Sequence, residues 1–365
     1  MTVTVKRSLE LLGLYLIGTI VVVGKMVIMP LLMSFFLSLV LLPVFRLFRK
    51  LKLPEAIAIF LSILMLIVLG ALVIWLFYSQ VISLLNDLPQ IQVTVAKHLD
   101  IFSKWIGRNF GFSPTAQFQF IREQSNKLFN SAGSLLGGVA GSVSSMLLFF
   151  GLMPVYVFLI MLYRNLFLNF ILMCFDEKEK ENIEIITRQT ENMVKSYLVG
   201  LLIQVMYLIV LLGGILMLFG MKHALLIGII FAFLNLIPYL GSLIAEILAV
   251  LLTLASSDSI IDILIVLGVI AFVQFLDNNI LMPRIVGYKV KINALVSIVS
   301  IIIAGYMVGI TGMFLAMPVV AILKIVFDHT AQYKKWGYLL GDERPAKSPF
   351  LFFGLGQRAK SKNTL

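Results

Sequence analysis

The chain has 365 residues, of which 60% are apolar and 13% are charged, and its mean hydropathy is +1.03. A soluble domain could not bury so much apolar surface, so these values exclude a soluble globular protein and place most of the chain in lipid. The formal net charge of +11 does not indicate a nucleic-acid-binding protein, because the basic residues cluster beside apolar segments, where they set membrane orientation.

Residues 1–79 are expected to form an N-terminal unit of three membrane segments, at 9–24, 26–45 and 56–78. Basic residues precede the first segment and follow the second, which places the N-terminus and the connection to the third segment in the cytoplasm. The third segment then leads to the outside of the membrane.

Residues 80–130 are polar but carry apolar side chains at helical spacing, which predicts a small helical extracytoplasmic domain.

The next membrane segment, 131–163, begins with small residues at every fourth position, namely Gly133, Gly137 and Gly141. This spacing lets a second helix approach closely, either within the protomer or in a homo-oligomer. Residues 164–196 are dense in charges of both signs and predict a cytoplasmic amphipathic helical linker.

Residues 197–328 contain two apolar stretches that are each too long for one membrane crossing and too short for two, at 224–256 and 292–327. The first is interrupted at 235–242 and the second at 305–312. Broken helices at membrane depth are tolerated only where they line a cavity or face other protein. Such paired interruptions point to a transport site, so we expect this region to be the transport core.

Two topologies remain open for the broken stretches. If both are re-entrant hairpins, the basic loop with Arg284, Lys289 and Lys291 is cytoplasmic, as is the basic tail at 329–365. The core then reads span, hairpin, span, hairpin, which is an inverted repeat. Two kinked full spans would misplace only those three charges. The predicted fold is an all-α polytopic membrane protein with about eight membrane segments, two of them broken or re-entrant.

Two acidic residues lie within apolar stretches, Asp277 and Glu246, and intramembrane acids are functional-site candidates. The predicted transport path or ion-binding site contains these acids, the amides around Asp277 and the residues that open the first break: Asp277, Gln274, Asn278, Asn235, Pro238, Gly241 and Glu246. Gln204 and Ser242 are further candidates to face this cavity. Asp277 is alternatively a juxtamembrane residue that pairs with Arg284, and Glu246 an interface residue at a hairpin mouth.

The sequence shows no phosphate-binding glycine loop, no metal-ligand spacing and no nucleophile motif. We therefore expect neither an enzyme nor a cofactor or metal, and no nucleic-acid partner. Transport would depend on an ion gradient or run downhill.

Three stretches, 226–249, 274–287 and 305–318, resemble the signature regions of the autoinducer-2 exporter family, the PerM-like permeases. Their order and spacing match over nearly all of residues 9–330. The resemblance implies a homo-oligomeric protein of the bacterial inner membrane, linked to autoinducer-2 export or to sodium (lithium)/proton antiport. An acid is common in the family at the position of Asp277, whereas a small residue is usual at that of Glu246, so the resemblance favours Asp277 as the ion-binding acid.

The leading hypothesis is a secondary transporter, with both termini cytoplasmic, that exports a small polar solute or exchanges sodium or lithium for protons. Its partners would be the lipid bilayer, the solute or monovalent cation, and the proton. The alternative is a membrane scaffold or sensor that acts through residues 80–130.

Overall fold

The computed structural model describes residues 3–110, 143–285 and 292–343, and these form helices joined by short turns. The N-terminal helices are α1 (Val3–Val23), α2 (Lys25–Lys50), α3 (Glu55–Asn86) and α4 (Leu88–Phe110). After the undescribed residues 111–142 come α5 (Val143–Leu162) and α6 (Arg164–Met173), which are bent by 61° relative to each other. Within the described ranges there is no β-strand, so the all-α prediction is confirmed for them.

The second half of the chain alternates long helices with helical hairpins. The long helix α7 (Lys180–Leu208) continues through a π-helical turn, Ile209–Gly213, to Leu218. Hairpin 1 follows, made of α8 (Ala224–Leu234) and α9 (Leu240–Ser256). The next long helix, α10 (Ile260–Leu276), continues through a second π-helical turn, Asp277–Leu281. Hairpin 2 consists of α11 (Ala294–Val308) and α12 (Ile310–His329), and a short helix, α13 (Lys334–Leu340), follows it.

Five described helices are long and apolar enough to cross a membrane, or six if α5 and α6 count as one bent span. The predicted first segment and three of the four hairpin arms are shorter apolar helices. The fourth arm, α12, has 20 residues and is therefore about 30 Å long, enough to cross. Hairpin 2 is therefore unequal, because α12 is long enough for a crossing and α11 is not.

The charged stretch 164–196 is not a separate linker along its whole length. Its C-terminal part belongs to α7, which runs unbroken from the charged residues at its start into the apolar span. The ends of this stretch are tied to the N-terminal unit by ion pairs, Arg164–Glu55 at 3.0 Å and Glu191–Arg46 at 3.1 Å. The helix thus joins the charged end of the molecule to its apolar interior.

Both predicted breaks are sharp reversals of the chain. Hairpin 2 turns at Gly309, whose φ of +76° belongs to the left-handed region that glycine adopts without strain. The two arms then pack so closely that a Cβ on Gly312 would overlap the carbonyl oxygen of Ala304. A Cβ on Gly241 would likewise overlap the carbonyl oxygen of Leu234 in hairpin 1. Small residues at these two positions are what allow the arms to meet.

The two hairpins open toward opposite ends of the molecule. At the mouth of hairpin 1, His223 lies 3.3 Å from Asp87, and Asp258 lies 2.8 Å from Lys97. At the mouth of hairpin 2, Asn293 donates to the carbonyl oxygen of Leu339, and Asn182 donates to that of His329. Because α7 and its extension run from Asn182 to Leu218, just before His223, they connect the two mouths.

Three apolar clusters hold the helices together. The largest joins α7 and its extension to hairpin 1 and α10, the second joins α2 and α7 to α12, and the third joins α2, α3 and α5. Leu236, at the tip of hairpin 1, packs against both the first and the second cluster. The tip of hairpin 1 therefore contacts both clusters, although Tyr239 in the same turn remains exposed.

Candidate functional site

The buried carboxylate of Asp277 is the centre of the candidate site. Only 2% of this residue is exposed, and it occupies the first position of the second π-helical turn. Gln204 donates from Nε2 to Oδ2 at 2.8 Å, and Asn235 donates from Nδ2 to the same oxygen at 3.3 Å. The hydroxyl of Tyr207 donates to Oδ1. Both carboxylate oxygens are therefore held by neutral donors.

Three structural elements meet at this carboxylate. Gln204 and Tyr207 are three residues apart on α7, so they share one face of that helix. Asn235 is the first residue after α8 and lies at the tip of hairpin 1. Asp277 ends α10. The site thus joins a long helix from each half of the core to the break predicted in the first hairpin.

Both long helices change to π-helical geometry next to the site. The turn Ile209–Gly213 begins two residues after Tyr207, and the turn Asp277–Leu281 begins at the carboxylate itself. The first turn also lets hairpin 1 approach, since a Cβ on Gly228 of α8 would lie 2.9 Å from the backbone nitrogen of Gly213. Single π-helical turns inside α-helices are frequent at functional sites because they redirect side chains.

The polar groups of the site are not all paired. Gln204 is 4% exposed and uses its Nε2 on Asp277, but its Oε1 is buried and has no hydrogen-bond partner among the described residues. The Nε2 of Gln274 is also buried and unpaired in the described structure. A buried carboxylate and a buried amide oxygen without a cation carry a substantial desolvation cost. A proton, a small cation or a hydroxyl group would lower this cost by binding there.

The first break is shaped by the residues that the sequence singled out. Tyr239 has a φ of +65°, an unusual and strained value for a residue other than glycine. Pro238 accepts a backbone hydrogen bond from Leu240, and the nitrogen of Gly241 donates to the carbonyl oxygen of Ile237 at 2.9 Å. Ser242 donates to the carbonyl oxygen of Tyr239, so it supports the turn and not the Asp277 cluster.

The remaining predicted residues lie around the site or apart from it. Gln274 accepts a hydrogen bond of 3.3 Å from Asn278, and Asn278 is exposed. Glu246 is half-buried on α9. Arg284 is exposed, while the described partners of Asp277 are all neutral, so the structure pairs Asp277 with amides and a phenol and not with Arg284. Gly133, Gly137 and Gly141 lie outside the described residues.

Sequence reasoning missed Tyr207. A tyrosine in an apolar span resembles the many aromatic residues that face lipid, and only its three-residue spacing from Gln204 distinguished it. Within residues 3–110, 143–285 and 292–343, no three His, Cys, Asp or Glu side chains lie close enough together to hold a metal ion.

A second polar cluster lies at the mouth of hairpin 1. A cleft there is lined by Asp87, Gln90, Ile91, Lys222, His223 and Ser256. Lys222 donates to the side chain of Gln90 at 3.1 Å. Burial lowers the pKa of His223 below its usual value and outweighs the opposing effect of Asp87, and the charge of Lys222 lowers it further. The cluster connects α4 to the core.

Together these features indicate which class of membrane protein this is. Several apolar helices, two helical hairpins that open toward opposite ends, and a buried acid at a hairpin tip are typical of membrane transporters.

The chain belongs to the AI-2E transporter family, whose sequence profile matches residues 11–332. It is 27% identical to YrrI of Bacillus subtilis, a candidate transport protein, over 84% of this chain and 87% of that protein. It is also 27% identical to YhhT of Escherichia coli, a second candidate transport protein, over 87% of this chain and 89% of the relative. The AI-2 transport protein TqsA of E. coli is 25% identical over 87% of this chain and 90% of its own length.

Proposed function

We propose that the protein is a secondary transporter in which Asp277 carries the coupling proton or a monovalent cation, so that sodium or lithium is exchanged for protons. The observation that supports this proposal is a carboxylate that is buried against a hairpin tip and whose partners among the described residues are all neutral donors. Such a group can be neutralised by a proton or by a cation, but not readily by both. Mutual exclusion at one acid is the basis of exchange.

The amide side chains fit both occupied states. Gln204 and Asn235 donate to the carboxylate in the described arrangement. Rotation of either amide would instead present its oxygen to a bound cation or to a protonated Asp277. The unpaired Oε1 of Gln204 is already buried in the core of the site. This arrangement supports a site that changes its hydrogen bonds as its occupant changes.

The proposal is tested in proteoliposomes that carry an imposed pH gradient and receive sodium or lithium. Wild type should collapse the gradient, and Asp277→Asn should show only the leak of protein-free liposomes. Glu246→Gln is the matched control, since it removes the other acid from an apolar helix, and it should retain exchange. Exchange that survives Asp277→Asn, with correctly folded protein, would contradict the assignment.

Export of a small polar solute is the second candidate function. It is favoured by the similarity to TqsA, which is named as an AI-2 transport protein, and by the cluster of amides and phenol beside Asp277. Such groups bind hydroxylated solutes through paired hydrogen bonds. Solute uptake into inverted vesicles that persists in Asp277→Asn would favour this function over cation exchange.

The scaffold or sensor hypothesis makes a different prediction. It requires that removal of residues 80–130 abolishes the cellular phenotype while no flux is measurable in any assay. The ties between α4 and hairpin 1 instead support an extracytoplasmic region that acts on the transport core.

A further inference from the structure

The short helix α13 lies at the mouth of hairpin 2 and has two unlike faces. Gly337 is its one buried residue, and a Cβ there would lie 3.0 Å from the backbone nitrogen of Asp328, so the helix is pressed against the end of α12. The rings of Tyr333 and Phe327 add a contact at 5.6 Å between centroids. The helix is therefore fixed in place although it has only seven residues.

The same helix is tied to the start of hairpin 2. Asn293 donates from Nδ2 to the carbonyl oxygens of Leu339 at 2.8 Å and of Gly341 at 3.1 Å. The backbone nitrogen of Asn293 also donates to Leu340. Because Asn293 also caps α11, these hydrogen bonds connect α13 directly to the first arm of hairpin 2. The position of α13 and that of the hairpin mouth are thus linked.

The outer face of α13 combines aromatic and cationic side chains. Trp336 is 57% exposed and Tyr338 is 55% exposed, and Leu339 lies beside them. Lys334 and Lys335 are exposed, and neither forms an ion pair within the described structure. The neighbouring Lys324 is instead neutralised by Asp328 at 2.6 Å. The helix therefore presents two free positive charges next to a tryptophan.

The level of the helix in the membrane follows from α12. This arm is long enough to cross the hydrocarbon layer, and α13 begins five residues after its end, so a membrane-spanning α12 would put α13 at the headgroup level. Tryptophan and tyrosine are enriched at that level, and paired lysines there attract anionic headgroups. The two acids that follow, Asp342 and Glu343, lie beyond the helix.

We propose that α13 is a binding surface for anionic phospholipids of the leaflet at the mouth of hairpin 2, with Lys334 and Lys335 contacting the lipid phosphate and Trp336 inserted among the glycerol groups. If lipid does not bind there, this surface of α13 would instead face water or contact a second copy of the chain. The proposal is independent of the transported solute. It assigns to α13 the role of coupling the lipid composition to the position of hairpin 2.

Fluorescence of Trp336 tests this proposal directly. The chain has three tryptophans, so Trp75→Phe and Trp105→Phe leave Trp336 as the only one. The protein is reconstituted into vesicles in which either phosphatidylglycerol or phosphatidylcholine carries bromine near the headgroup, at equal mole fractions. We expect both lipids to quench Trp336, and the brominated phosphatidylglycerol to quench it more strongly.

Charge variants separate anionic-lipid binding from simple contact with the bilayer. Lys334→Gln combined with Lys335→Gln should lower the preference for phosphatidylglycerol by about fivefold for each lysine. Lys178→Gln combined with Arg188→Gln removes the same charge from the exposed, charge-rich stretch and should leave the preference unchanged. A protein that retains Trp75 alone, with the α13 substitutions, should be quenched as before, which verifies folding.

Two results would overturn the proposal. An unquenched Trp336 would show that water or another protein covers α13. Equal quenching by the two brominated lipids, unaffected by the lysine substitutions, would show that α13 touches the bilayer without selecting anionic lipid.

Discussion

Asp277 illustrates how one residue depends on groups far away in sequence. Its carboxylate is held by side chains 73, 70 and 42 residues distant, so no local pattern describes its surroundings. The sequence did identify the acid, because a charge in an apolar stretch is costly and therefore conspicuous. It also identified Asn235 and Gln204 as candidates for the same cavity. Tyr207 was missed, since a phenol is inconspicuous among apolar side chains.

Removal of the Tyr207 hydroxyl should impair the site without loss of the ring. Tyr207→Phe deletes one donor to a buried carboxylate, a bond worth about 1.5–3 kcal/mol, so the affinity or rate of transport should change by about tenfold or more. Tyr197→Phe on the same helix is the matched control, because its buried hydroxyl has no partner among the described residues. That control should be neutral or slightly stabilising. Equal effects of the two substitutions would argue against a special role for Tyr207.

His223 gives the mouth of hairpin 1 a defined pH dependence. Its pKa is lowered in the folded protein, mainly by burial, so the folded state binds the proton less well than the unfolded chain. The folded arrangement around His223 is therefore most stable above the ordinary histidine pKa of about 6.5, and it loses stability as the pH falls below that value. The protection factors of the α4 amides, corrected for the pH dependence of intrinsic hydrogen exchange, should be lower at acidic pH, and His223→Gln should abolish this difference. Higher protection factors at acidic pH would mean that pairing with Asp87 outweighs burial.

Individual helices and hairpins were more predictable than their contacts. The breaks at 235–242 and 305–312 were located correctly, because Pro, Gly and Asn interrupt otherwise continuous apolar runs. Helix ends were less predictable: α3 extends to Asn86, beyond the apolar segment predicted to end at 78, since polar residues continue a helix once it is formed. The π-helical turns have no sequence signature, and the first of them lies where Gly228 of hairpin 1 packs closely against Gly213.

The close approach of the arms of hairpin 1 makes Gly241 sensitive to any side chain. Gly241→Ala would force apart α8 and α9 at the point where Asn235 meets Asp277, at a cost of about 1–3 kcal/mol or more. Gly268→Ala is the matched control on α10, where a Cβ meets no atom within 4 Å and should stabilise the helix slightly. Thermal unfolding in detergent measures the change in melting temperature caused by each of the two substitutions. A melting temperature unchanged by Gly241→Ala would show that the two arms can separate at this turn without loss of stability.

At the scale of the whole molecule, the order long helix, hairpin, long helix, hairpin is present with the hairpins opening toward opposite ends. The charge pattern predicted this order but could not choose between hairpins and kinked spans, because only three charges distinguished them. Contacts between distant segments show where the ends of each hairpin lie: Asn293 contacts Leu339 and Gly341, His223 contacts Asp87, and Asp258 contacts Lys97. Both ends of each hairpin lie at one end of the described structure.

The opposite orientation of the hairpins predicts opposite accessibility of their mouths across the membrane. Cys174 is the single cysteine of the chain, so Cys174→Ser provides a background for new ones. Ser259→Cys lies just beyond hairpin 1 and Ala331→Cys just beyond hairpin 2, and both positions are exposed. If basic residues mark the cytoplasmic face, a membrane-impermeant maleimide should label Ser259→Cys in intact cells but Ala331→Cys only after permeabilisation.

The reverse labelling pattern would agree with hairpins that open toward opposite sides of the membrane, but it would contradict the assignment of the cytoplasmic side. Labelling of both from one face would contradict the inverted arrangement itself, because α7 could then not connect the two mouths through the membrane.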